Sequence, residues 1–229
     1  MLDQRRRVVD SWNALPVGAR IALDQQWAGL AAGGLPCGSA ILNADESILA
    51  AGRNHAYDPP GEIESRAHSP LQHTRLAHAE LNAMALLATE IDHASLTLWS
   101  TQHPCAMCAA AVRFIGIGKV RFVADDPSDD SPAGVIVATR GGVSYEAMGD
   151  PLWWTISNLL FLYNSALQKG EDARNLRMNR TRYPELVRLT LDLAKQDALG
   201  HSARSETRLP LALEPHADLI VHASQFAPS

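Results

Sequence analysis

The sequence predicts an α/β protein with a mixed sheet, followed by a helical C-terminal extension. Three observations predict it. Two short apolar runs, Cys37-Gly-Ser-Ala-Ile-Leu and Ser47-Ile-Leu-Ala-Ala-Gly, flank Asn43-Ala-Asp-Glu and read as an antiparallel hairpin. A β-branched and aromatic run at residues 95–101, a helical pattern, and then Lys119-Val-Arg-Phe-Val-Ala imply a right-handed βαβ unit with parallel pairing. Beyond Asp150 the apolar residues recur at helical spacing.

In chain order, residues 3–33 read as helical, with Pro16 in a first turn and Ile21, Leu23, Trp27, Leu30 and Ala31 as a broken apolar stripe that Gly33-Gly34 ends. After the hairpin, residues 53–75 carry Pro59, Pro60, Gly61 and Pro70 without a period and read as a loop long enough to act as a lid. From His78 strong helix formers run without Gly or Pro, predicting a helix to about Thr89 with Leu81, Met84, Leu87 and Ala88 on its core face. Pro104 sits where the helix after the third strand begins, and Gly116 and Gly118 end it. Residues 125–130 form an acidic loop after the fourth strand. Val135–Ala138 and Val143–Met148 both suit a fifth strand, and the second is preferred. Asp150-Pro151 supplies an N-cap and a first-turn proline. Leu152, Trp153, Ile156, Leu159, Leu160, Tyr163 and Leu167 then line one face until Gly170, and a further helix spans Pro184 to Leu199 and ends at Gly200.

The 229 residues, 46% of them hydrophobic, suffice to bury a core without a disulfide or metal staple. A net charge of -5 argues against a large phosphate-tracking surface and favours a small-molecule substrate over nucleic acid. Cys37, Cys105 and Cys108 are the only cysteines, a reduced-compartment pattern. With no apolar leader and no run near the roughly 20 residues that cross a bilayer, a cytoplasmic protein without membrane association is expected.

Two stretches carry chemistry: His78-Ala79-Glu80 and Pro104-Cys105-Ala106-Met107-Cys108. One imidazole and two thiolates make three zinc ligands, which leaves the fourth tetrahedral position open for water, as in catalytic rather than structural sites. The C-x-x-C spacing puts both sulfurs at a helix start, where free N–H groups and the positive dipole end favour thiolate. Residues two apart on a regular helix point about 200° apart, so His78 and Glu80 cannot share a face. A helix boundary near His78 is therefore predicted, with Glu80 in the first turn. The competing reading is a closed structural zinc knuckle with Cys37 or His103 as fourth ligand. It gives no reason for H-x-E at a helix start.

H-x-E with P-C-x-x-C resembles the signature of the cytidine deaminase-like zinc hydrolase superfamily, nearest in motif to guanine, cytosine and tRNA-adenosine deaminases. The resemblance runs from about Ala19 to Asp126. It implies a three-layer α/β/α sandwich with a mixed five-stranded sheet over residues 1–149, plus a helical extension over 150–229 packed on the same domain or on a partner subunit. It further implies one Zn²⁺ per chain on His78, Cys105 and Cys108, with Glu80 as the catalytic proton carrier in the hydrolytic deamination of a nucleobase, nucleoside or related aminoheterocycle. Because two thiolates cancel the metal's formal charge, more of the burden of activating water falls on Glu80.

Asn54, Ala79, His103 and Asp126 are the candidate substrate contacts. Relatives carry Glu in T-x-E-P-C, where this chain has Thr101-Gln102-His103-Pro104-Cys105, so the substrate is not simply transferable from them. A homodimer is the expected assembly. The rival functions are tRNA adenosine deamination, which needs a basic funnel, and a catalytically silent zinc-containing binding subunit.

Overall fold

A computed structural model of the chain describes residues 7–59, 70–128 and 142–228. Its centre is a five-stranded sheet in the order β2-β1-β3-β4-β5. The strands are β1 (Gly38–Leu42), β2 (Ile48–Arg53), β3 (Thr97–Gln102), β4 (Lys119–Ala124) and β5 (Ser144–Ala147). The predicted hairpin pairs β1 antiparallel to β2, and β1 also lies antiparallel to β3, whereas β3–β4 and β4–β5 are parallel. The sheet is therefore mixed. The fifth strand is the second of the two candidates; residues 135–138 lie outside the described residues, as do residues 60–69 of the expected lid.

Side chains alternate across this sheet and so build two cores. Ala40, Leu42 and Trp99 face one way, onto α2 (Val17–Ala31) and α5 (Pro151–Lys169), in a cluster that includes Leu23, Leu30, Ile156 and Leu160. Ile41, Leu98 and Val120 face the other way, onto Met84 of α3 (Ala79–Met84) and Val112 of α4 (Ala106–Ile115). Helix, sheet, helix is the three-layer sandwich the resemblance implies. The remaining α-helices among the described residues are α1 (Arg7–Ala14), α6 (Arg174–Asn179), α7 (Pro184–Ala194), α8 (Ala198–Arg204), α9 (Leu209–Leu213) and α10 (Ala217–Ser224).

Four expectations are corrected. The first helical region divides into α1 and α2, with Pro16 as the N-cap of α2 at φ -54° and ψ 146°. The helix after His78 stops at Met84 instead of Thr89, because Leu86 and Leu87 bond back to Ala83 and Met84 in tight turns and, with Ile91, pack onto the α3–α4 core; Ala88 is exposed. Helix α5 is not apolar on one face alone: Trp153, Trp154, Ile156, Leu159, Leu160, Phe161, Leu162 and Tyr163 are all buried, while Leu167 is not. Its neighbours surround it, since it packs against α2, β4, α7 and α10. Finally, Pro184–Leu199 is broken at Asp197, a left-handed residue with φ 45°, and Gly200 lies inside α8. A side chain at Gly200 would collide with the Asp197 carboxylate that Arg204 holds.

A buried polar network fastens α5 to the sheet. Gln102 Nε2 donates to Ser157 Oγ at 2.7 Å, Ser157 Oγ donates to the Thr101 carbonyl at 3.0 Å, and Gln26 Nε2 donates to the carbonyls of Ser157 (2.9 Å) and Pro36 (3.0 Å). Such groups are tolerated inside because each finds a partner.

Candidate active site

His78 is the N-cap of α3 with φ -68° and ψ 153°, so the helix boundary falls where the geometry of H-x-E requires it. Glu80 follows in the first turn, and its carboxylate lies on the side of the sulfurs. Cys105 is likewise an extended N-cap, of α4, at φ -63° and ψ 168°, and Cys108 is fully buried in that helix's first turn. The two helix starts thus bring residues from 78 to 108 together at the C-terminal end of β3, where open α/β sheets bind ligands.

The donor atoms are spaced for a metal. His78 Nδ1 lies 3.6 Å from Cys105 Sγ and 3.7 Å from Cys108 Sγ, and the sulfurs are 3.7 Å apart. Tetrahedral zinc with ordinary bond lengths places such donors about 3.6 Å (N to S) and about 3.8 Å (S to S) from one another. His78, Cys105 and Cys108 can hold one zinc ion, and no fourth donor joins the group among the described residues, Cys37 and His103 included. In the metal-free protein the hydrogen bond from Cys108, helped by His78, brings the Cys105 thiol down to about 4. Its hydrogen bond to Cys105, together with burial, pushes Cys108 well above its usual value, and the Cys105 contact raises His78. Metal binding then has one proton to displace from the sulfur pair.

Glu80 is 7% exposed and lies against the donor group. Ser100 Oγ donates to its Oε1 at 3.0 Å, and Oε2 lies 3.4 Å from Cys108 Sγ. Burial holds its carboxyl above the usual carboxylate range. Cys37 borders the same space, but burial, with the charges of Glu80, Asp126 and Cys105, pushes its thiol far up and keeps it neutral.

A cavity of about 470 Å³ opens over this centre. Of the eight residues singled out in the sequence, His78, Glu80, Cys105, Asn54, His103 and Asp126 line it. Cys108 sits behind Cys105, and Ala79 is fully buried where β2 meets α3, so its side chain does not reach the cavity. Asn54 is 2% exposed; its Oδ1 accepts the Ala56 N–H at 2.9 Å, which leaves Nδ2 as the amide group available to a ligand. The His103 ring is set by Phe122 (edge-on, 4.8 Å) and Tyr145 (stacked, 5.7 Å). Asp126 Oδ1 accepts the Ser128 N–H at 2.7 Å. Sequence reasoning missed Ser100 and Gln102 on β3 and the whole wall that α5 and α6 supply, including Phe161, Ser165, Lys169, Arg174 and Asn175. No local pattern marks those residues; only the packing of α5 brings them here.

Residues 17–124 match the family model described as the cytidine and deoxycytidylate deaminase zinc-binding region. That segment is similar to the cytidine deaminase-like superfamily. A cytosine deaminase of Candida albicans (strain SC5314 / ATCC MYA-2876) is 28% identical over 105 residues, which cover 45% of this chain and 61% of that protein. The chain therefore spans about three fifths of this relative's length. Among solved structures, a guanine deaminase from Nitrosomonas europaea is 18% identical, with a TM-score of 0.46 and coverage of 72% of this chain and 85% of that one. A structure from studies of A-to-I editing by tRNA:A34 deaminases is 21% identical, with a TM-score of 0.42 and coverage of 55% and 93%. The zinc-binding region of the superfamily contains all three donors identified by geometry, as well as Glu80.

Proposed function

We propose that this chain is a zinc-dependent aminohydrolase that removes the exocyclic amino group of a guanine- or cytosine-like nucleobase, nucleoside or related aminoheterocycle as ammonia. One observation carries the reading: Glu80 lines the cavity beside His78 and Cys105, is held by Ser100, and stands outside the three-donor group. A closed structural site has no use for such a carboxylate. His78, Cys105 and Cys108 would hold the zinc ion, which would supply an acidified water and a positive charge to the reaction.

Everything else falls to the chain's own groups. Glu80 takes one proton from the attacking water and passes it to the ring nitrogen, then takes the proton of the added hydroxyl and passes it to the departing amine, so that water and an amino group become a ring carbonyl and ammonia. Burial suits it to this exchange, because a raised carboxyl is the stronger base and takes up the proton of water more readily than an ordinary carboxylate would. Asn54 Nδ2 donates to an acceptor on the ring edge, and His103, braced by Phe122 and Tyr145, forms part of the wall beside it.

The test is ammonia release across aminopurines, aminopyrimidines and their nucleosides, with and without a zinc chelator. Glu80→Gln is expected to lower kcat by roughly 10²–10⁴-fold, the usual range for a positioned acid–base group, while zinc content stays near one per chain. Near-native turnover by this variant would remove Glu80 from the reaction. Small substrates are favoured over tRNA because Arg177, Arg180 and Arg188, which a basic funnel would need, are engaged by the Asp172 carbonyl, Glu171 and Glu185. A homodimer and a cytoplasmic setting belong to the same proposal, and sedimentation of the zinc-loaded protein measures the first.

A further inference from the structure

We infer that the C-terminal extension makes the cavity selective for a phosphorylated substrate, a nucleoside monophosphate, with Lys169 and Arg174 taking the phosphate at the cavity's outer wall. This rests on the deaminase reading above and names the substrate class for it.

The charge in the cavity is divided by origin. The superfamily segment and the loop after it bring carboxylates, Glu80 and Asp126, whereas both lysine and arginine side chains lining the space among the described residues come from the extension. Lys169 closes α5 and Arg174 opens α6, separated by the turn Gly170–Asp172. The neighbouring cations are occupied: Arg177 donates to the Asp172 carbonyl, Arg180 pairs with Glu171 and Arg188 with Glu185, while Arg182 lies over the Tyr183 ring. Lys169 and Arg174 have no hydrogen-bond or carboxylate partner among the described residues. In this segment the cations outside the cavity are engaged, and the two that face it are not.

The frame around them is set. Asn164 Nδ2 donates to the Leu30 and Gly34 carbonyls at 3.2 and 2.8 Å, tying the end of α5 to the Gly33–Gly34 turn that forms the adjoining wall. Asn175 Nδ2 donates to Ser165 Oγ at 2.9 Å, bridging α6 to α5 and leaving the Ser165 hydroxyl proton free to point into the cavity. A cation fork, an ammonium and a hydroxyl together suit a phosphate monoester, whose charge near neutral pH is about -1.5 to -2. A lone heterocycle would use only the inner part of about 470 Å³, and a sugar provides the spacer between the zinc centre and the outer wall.

The experiment compares kcat/KM for one heterocycle as free base, nucleoside and nucleoside 5′-monophosphate, using the zinc-loaded full chain and a Lys169→Gln/Arg174→Gln variant. Both side chains are exposed, so the variant is expected to fold, and its thermal midpoint checks that. The native chain should prefer the monophosphate over the nucleoside by at least about tenfold, and the variant should lose that preference through KM. An equal kcat/KM for nucleoside and monophosphate in the native chain, or an undiminished preference in the variant, overturns the inference. A short 5′-phosphorylated oligonucleotide that is turned over in preference to the monophosphate would assign the phosphate contact to nucleic acid and also overturn it. If no compound releases ammonia, it is the deaminase reading that fails. Calorimetric binding of the monophosphate then tests the anion site alone: binding lost in the variant supports it, and no binding or equal binding refutes it.

Discussion

Ser100 Oγ donates to Glu80 Oε1 at 3.0 Å from the middle of β3, and at 2% exposure it has no solvent to compete with. It points the carboxylate from the cavity wall, so Ser100→Ala should lower kcat by roughly fivefold, the equivalent of about 1 kcal/mol for one hydrogen bond, with zinc content unchanged. A second residue of this kind is Asp58, which accepts Arg53 Nη1 at 2.9 and 2.8 Å and sits 3.0 Å from His55 Nδ1, clamping the turn that presents Asn54. Burial alone would raise the Asp58 carboxyl, but the hydrogen bonds from His55 and Arg53 outweigh it and hold the carboxyl below its usual value. A depressed native value means the stabilisation is present above about pH 4, where the unfolded carboxyl ionises, and is lost as pH falls through the lower native value. Asp58→Asn should therefore cost about 1.5–3 kcal/mol in urea unfolding at pH 7, and the gap from the native chain should close in acid. Neither residue is visible in a linear reading, because its role is set by a partner's position. His78, Glu80, Cys105 and Cys108 are legible because metal chemistry restricts both residue type and spacing.

Helix α3 shows what a single element needs beyond propensity. It carries Glu80 and follows His78, yet it is held against β2 at Gly52, where a Cβ would lie 2.8 Å from both the Ala79 carbonyl oxygen and the Ala83 nitrogen. Both atoms are backbone and cannot swing aside. Gly52→Ala should thus move the helix off the sheet, costing about 1–3 kcal/mol by unfolding titration and weakening zinc retention in a chelator competition. The hairpin, the βαβ unit, the α4 start and the Asp150 cap, whose carboxylate accepts the N–H groups of Leu152 and Trp153, are legible because local signals and tertiary packing agree there. The end of α3 and the break at Asp197 are not. In both places good helix formers continue, and the turn is imposed by what the chain must pack against next: Leu86, Leu87 and Ile91 on the α4 side, and the Asp197–Arg204 pair under Gly200.

Over the whole molecule, one apolar cluster runs from Val8 through Leu23, Trp99 and Leu160 to Ile220, so the extension and the superfamily segment share a core. The boundary expected at residue 149 falls inside this cluster, and the packing continues across it. Ile156, Leu159, Leu160 and Leu162 are each fully buried, and at roughly 1.5–3 kcal/mol apiece they contribute on the order of 6–12 kcal/mol, comparable to the net stability of a typical domain of about 5–15 kcal/mol. The Gln102–Ser157–Gln26 hydrogen bonds would lose their central member with α5, leaving buried amides unpartnered. A chain ending at Gly149 should accordingly fail to give a cooperative unfolding transition, showing dye binding to exposed apolar surface and no near-ultraviolet circular dichroism from Trp99 and Trp12. A soluble 1–149 fragment with a sharp transition and bound zinc would show instead that α5 is a detachable cover. Only then would the cavity's outer wall, with Lys169 and Arg174, be an addition to a finished enzyme. As the core is built, that wall cannot be removed without removing the fold beneath it.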